Sequence, residues 1–203
     1  TRPDTQRLLD ALKSATGRTD IVLPLPSVRK LPVLLREHNF ALRCVLRLYP
    51  NRAELLELLP AADATPVCGL AIDVGTTSVA ELLIDLGSGV ILAKASAGNG
   101  QIRYGADVIN RIMEQQKPDG VKKLQQAIID ETLSPLVSEL CREATLPRES
   151  IYQAVIVGNT TMQHLLCGVD ANALRMEPYV PAFFSLSPLR ASSLGLSLHP
   201  AAT

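Results

Sequence analysis

Aromatic side chains are scarce here: tryptophan is absent, and phenylalanine and tyrosine together make up 3% of the 203 residues. With no alternation of basic and aromatic residues, there is no platform on which single-stranded bases could stack. A surplus of charge of one sign is missing too, because 20 basic and 20 acidic residues cancel and leave no strong field to draw a polyanion. Nucleic acid is therefore not expected as a partner. No apolar run reaches the roughly 18 residues of a membrane span, and no signal-peptide pattern is read, so a cytoplasmic protein with no membrane partner is expected. Cys44, Cys68, Cys141 and Cys167 show neither a Cys-X2-Cys spacing nor a histidine pairing, which suits reduced, buried thiols rather than a metal site. No Gly-X4-Gly-Lys-Ser/Thr run occurs, which excludes a P-loop. Gly98-Asn-Gly100 with Gly105 misses the dinucleotide spacing and is expected to be a mobile loop. The absence of a Gly-X-Ser-X-Gly elbow leaves acyl transfer unsupported.

What is present centres on Val67-Cys-Gly-Leu-Ala-Ile-Asp-Val-Gly-Thr-Thr-Ser-Val-Ala80. Leu70 to Val74 is apolar around one carboxylate, the pattern of a strand buried on both faces. Asp73 would be costly there without a cation or donors. Gly75 lets the chain turn and approach a ligand closely, and the N–H groups of Thr76, Thr77 and Ser78 can form an anion-binding concavity. Asp73 beside them suits magnesium, which takes one or two carboxylates, keeps several waters and bridges to phosphates. An ordinary polar hairpin turn with a capped Asp73 is the plainer alternative.

Two further apolar runs, Ser78 to Asp85 and Val90 to Ser96, flank the hairpin connection Leu86-Gly-Ser-Gly89 and complete a three-strand meander. Helical spacing follows over Ala106 to Glu114 and over Val121 to Ala144, with Pro118-Asp-Gly120 as the break. Tyr152 to Gly158 returns as a buried strand, and Asn159-Thr-Thr161 can cap a helix over Met162 to Cys167. Strand, strand, strand, helix, strand, helix is the opening of a ribonuclease H-like half-domain, an α/β fold. Ahead of it, residues 1–66 form a small α+β domain with a linker over Pro60 to Pro66. Its elements are a helix over Asp4 to Ser14, an extended Leu23 to Pro26, a helix Leu31 to Glu37 capped by Ser27, a strand Phe40 to Tyr49, and Ala53 to Leu59, whose leucines suit either period and which is read as the returning strand in preference to a short helix.

Four stretches carry a family resemblance: Ala71-Ile-Asp-Val-Gly-Thr-Thr77, Arg103-Tyr-Gly-Ala-Asp-Val-Ile-Asn-Arg111, Val157-Gly-Asn-Thr-Thr-Met162 with His164-Leu-Leu166, and Pro178-Tyr-Val-Pro-Ala-Phe-Phe184. In this order they resemble the reductive activators of corrinoid proteins, which belong to the superfamily of acetate and sugar kinases, heat-shock chaperones and actin. The first stretch is superfamily-wide, and the other three are more diagnostic. Residues 1–66 resemble the family's small middle domain, and residues 67–203 resemble the first lobe of its ATPase domain.

The resemblance implies an ATP-hydrolysing redox activator that returns a Co(II) corrinoid to Co(I). Its electron carrier is a plant-type [2Fe-2S] ferredoxin domain that precedes the segment seen here. By the same resemblance Asp73 holds Mg2+ through water, and Gly75, Thr76, Thr77 and Ser78 wrap the terminal phosphates of ATP. Gly158, Asn159 and Thr160 face the cleft, where Asn159 positions the attacking water or senses the phosphate. Arg103, Tyr104, Asp107 and His164 are open candidates for the same cleft, with a satisfied interior position the plainer reading for His164. The implied partner is a corrinoid protein or a corrinoid-dependent methyltransferase, and a homodimer is allowed. No Cys-X4-Cys-X2-Cys run is present, and the chain stops at Leu198-His-Pro-Ala-Ala-Thr203 where the family continues, so a fragment that turns over ATP poorly on its own is expected. Two alternatives stand: a small-molecule kinase of the same superfamily whose Asn159 region binds a hydroxylated substrate, and an interaction module without nucleotide function. A ferredoxin-type cysteine cluster upstream would separate activator from kinase.

Overall fold

In a computed structural model that describes residues 2–203, the chain forms two units that meet between Thr65 and Pro66. The first unit holds α1 (Asp4–Thr16), β1 (Asp20–Val22), α2 (Leu25–Glu37), β2 (Leu42–Leu48) and β3 (Arg52–Pro60). Its sheet runs β1-β3-β2, with β1 parallel and β2 antiparallel to the central β3. Leu8 and Leu12 of α1 meet Leu31 and Leu35 of α2 over Leu55 and Leu58 of β3, a compact leucine core. Three expectations change here. The extended stretch ends at Pro24, because Pro26 occupies the first turn of α2, where its fixed φ and missing N–H cost nothing. Ser27 is accordingly not a cap but a buried residue within the helix, and Pro32 lies inside α2 rather than in its first turn. The three-residue β1 is too short to leave a periodic signal.

The second unit contains β4 (Cys68–Val74), β5 (Ser78–Asp85), β6 (Ile91–Gly98), α3 (Val108–Gln115), α4 (Gly120–Ile128), α5 (Ser134–Ala144), β7 (Ile151–Gly158) and α6 (Thr160–Cys167). The sheet order β6-β5-β4-β7, antiparallel except for the β4–β7 pair, is that of a ribonuclease H-like half-domain. One sheet face packs Leu70, Ile72, Val79 and Leu83 against Leu124, Ile128, Leu136 and Leu140 of the helices. The opposite face is open: Val155 and Val157 are each 53% exposed. β4 and β7 are therefore not buried on both faces as expected, and Asp73 is exposed. Its neighbours Ile72 and Val74 point the other way, as period two requires.

The long helical stretch also differs from expectation. Between α4 and α5 the backbone widens into a single π turn, Ile129–Leu133. Pro135 supplies the cause, because it offers no N–H to the preceding turn and its ring crowds the carbonyl four residues back. Thr132 serves the distorted turn, donating its hydroxyl to the Ala127 carbonyl at 2.7 Å. No helix among the described residues is long and apolar enough to cross a membrane.

Candidate functional site

The turn between β4 and β5 lies at the ends of two parallel neighbours, since Val74 of β4 pairs with Gly158 of β7. At both chain positions glycine is required by close approach. A Cβ on Gly75 would come within 2.6 Å of the Ser78 carbonyl oxygen, and one on Gly158 within 2.8 Å of the Val74 carbonyl oxygen. The turn is thus drawn tightly back on itself and against the start of α6.

Asn159 joins the two. Its Oδ1 accepts from the Met162 N–H at 2.9 Å, which caps α6, while its Nδ2 donates to Thr76 Oγ1 at 3.2 Å. Thr160 opens the helix, and Asp73, in register with Val157 and Ala80, is exposed beside the turn. Gly75, Thr76, Thr77, Ser78, Gly158, Asn159, Thr160 and Asp73 are therefore gathered at one edge of the sheet. Arg103, Tyr104, Asp107 and His164 are engaged elsewhere. Arg103 pairs with Glu131 at 2.6 Å and lies over the Tyr104 ring, and Asp107 caps α3 by accepting from the Asn110 N–H at 2.8 Å. His164 is fully buried, with Nδ1 2.8 Å from the Thr160 carbonyl oxygen, Nε2 accepting from the Ala182 N–H at 3.0 Å, and its ring stacked on Phe183 at 4.3 Å. It is a satisfied interior histidine that pins the Pro178 to Phe184 segment.

Beneath the turn lies a polar layer that the sequence reading did not assign. Asn99, Gln101, Arg111 and Thr132 are all buried. Asn99 donates from Nδ2 to the Gly75 carbonyl at 2.8 Å and from its backbone N–H to the Thr77 carbonyl at 2.8 Å. Arg111 donates from Nη2 to the Thr76 carbonyl, from Nε to the Gly105 carbonyl at 2.9 Å and from Nη1 to Gln101 Oε1 at 3.4 Å. Thr132 Oγ1 accepts from the Gly100 N–H at 3.1 Å, so the π turn braces the same layer. The segment expected to be a mobile loop is instead a 3-10 turn, Gly100–Tyr104, pinned at its start by Thr132 and Asn99 and just past its end by Arg111 on the Gly105 carbonyl. The available signal was Arg111 itself, a charge on the helix face that also carries Val108, Ile112 and Gln115. Burial lowers the pKa of the Arg111 guanidinium, an effect partly offset by Asp107.

A lone exposed carboxylate beside a tight hydroxyl-rich turn is the donor set magnesium tolerates when a polyphosphate completes its shell. An iron–sulfur cluster does not fit. The four cysteines are free, burial raises the pKa of each thiol, and no group of three or more histidine, cysteine, aspartate or glutamate residues among those described could hold a metal.

Residues 68–203 match the family model for the RACo middle region, and residues 1–64 match that for the RACo linker region. The chain is 33% identical over 151 residues to the corrinoid activation enzyme RamQ of Eubacterium limosum, covering 73% of this chain and 25% of that protein. It superposes with a TM-score of 0.87 and 33% identity on a solved reductive activator for corrinoid, iron–sulfur protein, covering 99% of this chain and 32% of the other. The chain thus spans about a quarter to a third of the length of these relatives. With a family model matched over more than half its residues, the chain belongs to the RACo family, the reductive activators of corrinoid proteins.

Proposed function

We propose that the protein carrying this chain is an ATP-dependent reductive activator of a corrinoid protein, and that residues 67–203 supply the first phosphate-binding lobe of its ATPase domain. The observation that carries the reading is the turn from Gly75 to Ser78, closed by glycine, tied to Asn159 and set beside the exposed Asp73. The names of the relatives support the corrinoid substrate.

In this reading the N–H groups and hydroxyls of Thr76, Thr77 and Ser78 hold the terminal phosphate oxygens of ATP. Asp73 would hold Mg2+, which when bound would neutralise charge on the phosphates. Asn159 reads the state of the phosphate through Thr76. Water attacks the terminal phosphorus, and its bond to the ADP oxygen breaks. The free energy released favours the activator-bound state in which Co(II) accepts an electron to become Co(I), a shift of populations rather than a source of electrons. The electron would come from the [2Fe-2S] ferredoxin domain that the family resemblance implies for the full-length protein, whose cluster ligands are not among the described residues.

The test uses the full-length protein. Asp73→Ala is expected to abolish ATP-supported Co(I) formation, followed by absorbance, while leaving the iron content unchanged. Normal activation by that variant would remove Asp73 from the role given to it.

A further inference from the structure

The three carbonyls of the phosphate turn are all held from below. Gly75 O accepts from Asn99 Nδ2, Thr76 O from Arg111 Nη2, and Thr77 O from the Asn99 N–H. The peptide units that follow Gly75 and Thr76 are trans. In a planar trans peptide the N–H points opposite to the C=O, so a carbonyl drawn into the interior turns the next N–H outward. By that geometry the Thr76 and Thr77 N–H groups face away from the buried layer. Neither meets a protein acceptor among the described residues.

Arg111 is unusual in what surrounds it. The side chain is 0% exposed, and its contacts are the Thr76 and Gly105 carbonyls, Gln101 Oε1 and, at 3.3 Å, the Met162 sulfur. No carboxylate lies within ion-pair distance of it among the described residues. A buried cation with no carboxylate in contact, and only the more distant Asp107 to offset its burial, is costly, and an anion seated on the turn would lower that cost.

We infer that Arg111, with Asn99, is the positioning residue of the phosphate turn: it holds the turn's carbonyls inward so that two successive N–H groups are presented to an anionic phosphate oxygen. The inference rests on the phosphate-binding reading of the turn and adds to it the group that shapes it. Arg111 acts through the backbone and does not touch the phosphate. Its guanidinium is suited to the task because its fork of donors reaches Thr76, Gly105 and Gln101 at once.

The experiment is nuclear magnetic resonance on this chain, comparing wild type with Arg111→Met, Arg111→Lys and Asn99→Ala. The order parameters of the Thr76 and Thr77 amides are measured, and inorganic pyrophosphate is titrated as the probe. In wild type the two amides are expected to be as rigid as the strands, with order parameters of about 0.85, and to shift with pyrophosphate. Arg111→Met should drop their order parameters below about 0.6 and weaken pyrophosphate at least tenfold, while amides of α5 keep their wild-type shifts. Arg111→Lys should recover part of the loss, because it keeps the charge and one carbonyl bond. If Arg111→Met does not fold, Asn99→Ala carries the test by freeing the Gly75 carbonyl and loosening Thr76. An unchanged turn in the variant that folds overturns the inference, and so does a loss of pyrophosphate with the turn still rigid. If wild type ignores pyrophosphate yet Arg111→Met loosens the turn, the positioning role stands and the phosphate-binding reading falls.

Discussion

Glu81 poses the sharpest problem at the scale of single residues. It sits mid-strand in β5, paired with Ile72 and Ala95, on the face that packs under the helices, and neither carboxyl oxygen has a hydrogen-bond partner among the described residues. Burial pushes its pKa up from 4.5 to about 8, with Arg148 pulling weakly the other way. Arg148 is itself engaged with the Ser134 carbonyl and the Ser138 hydroxyl, and the nearby Cys141 thiol is raised by its own burial. The carboxyl is therefore neutral at neutral pH in the fold and ionised in the unfolded chain. The sign follows: because the folded pKa is the higher one, the contribution of Glu81 to stability is greatest below about pH 4.5, falls as pH rises toward 8, and levels above it. The slope reaches at most about 1.4 kcal/mol per pH unit from this one group. Glu81→Gln is expected to flatten the stability profile between pH 5 and 8 in urea titrations. Glu81→Leu should stabilise the chain at pH 8 by a few kcal/mol, on the order expected when a buried charge is replaced by a well-packed apolar group. An unchanged slope in Glu81→Gln would show that another group titrates in that window.

At the scale of elements, the junction of β7 and α6 combines two duties in one side chain. Asn159 caps the helix through Oδ1 and holds the phosphate turn through Nδ2. Asn159→Asp tests the second duty, since aspartate caps as well as asparagine but meets Thr76 only as an acceptor and sets a negative charge beside the turn. Its melting temperature should stay near wild type, whereas Mg-ADP affinity in the full-length protein should fall at least tenfold through the added negative charge. Asn159→Ala should instead lose about 1 kcal/mol of stability as well. Element boundaries were largely legible from the chain: the three-strand meander, α3 with its break at Pro118 to Gly120, and Asn159 as a cap all follow from local rules. The misreadings share a cause. Asp73 and β7 were taken as buried because apolar neighbours surround them in sequence, yet the strand turns each alternate residue to the open face. Arg111 and Asn99 went unassigned because their partners in the turn, carbonyls between 22 and 35 positions upstream, leave no trace in side-chain pattern. The π turn hid in a good helical spacing that only Pro135 contradicts.

For the whole molecule, the division into two units has an energetic counterpart. Each has its own apolar cluster, leucines 8, 12, 31, 35, 55 and 58 in one and a larger set from Cys68 to Ala202 in the other. Separate cores favour separate cooperative transitions. Leu31→Ala and Leu124→Ala, both at residues nearly or wholly removed from solvent, should each cost about 2–5 kcal/mol in the core that holds it. Followed by amide-resolved urea unfolding, each substitution should shift the midpoint of its own unit and leave the other in place. A single shared midpoint that moves with either substitution would show one cooperative body instead.

From below, the phosphate turn is gripped by its main chain, and only Thr76 is also held by its side chain, through Asn159. Asn99 and Arg111 hold oxygens that every amino acid possesses. The hydroxyls at positions 77 and 78 are consequently free to drift under selection for a different ligand without unmaking the turn, while drift at 76, 99 or 111 has no such freedom. The shape of the loop is inherited from outside the loop, and its vocabulary is left open.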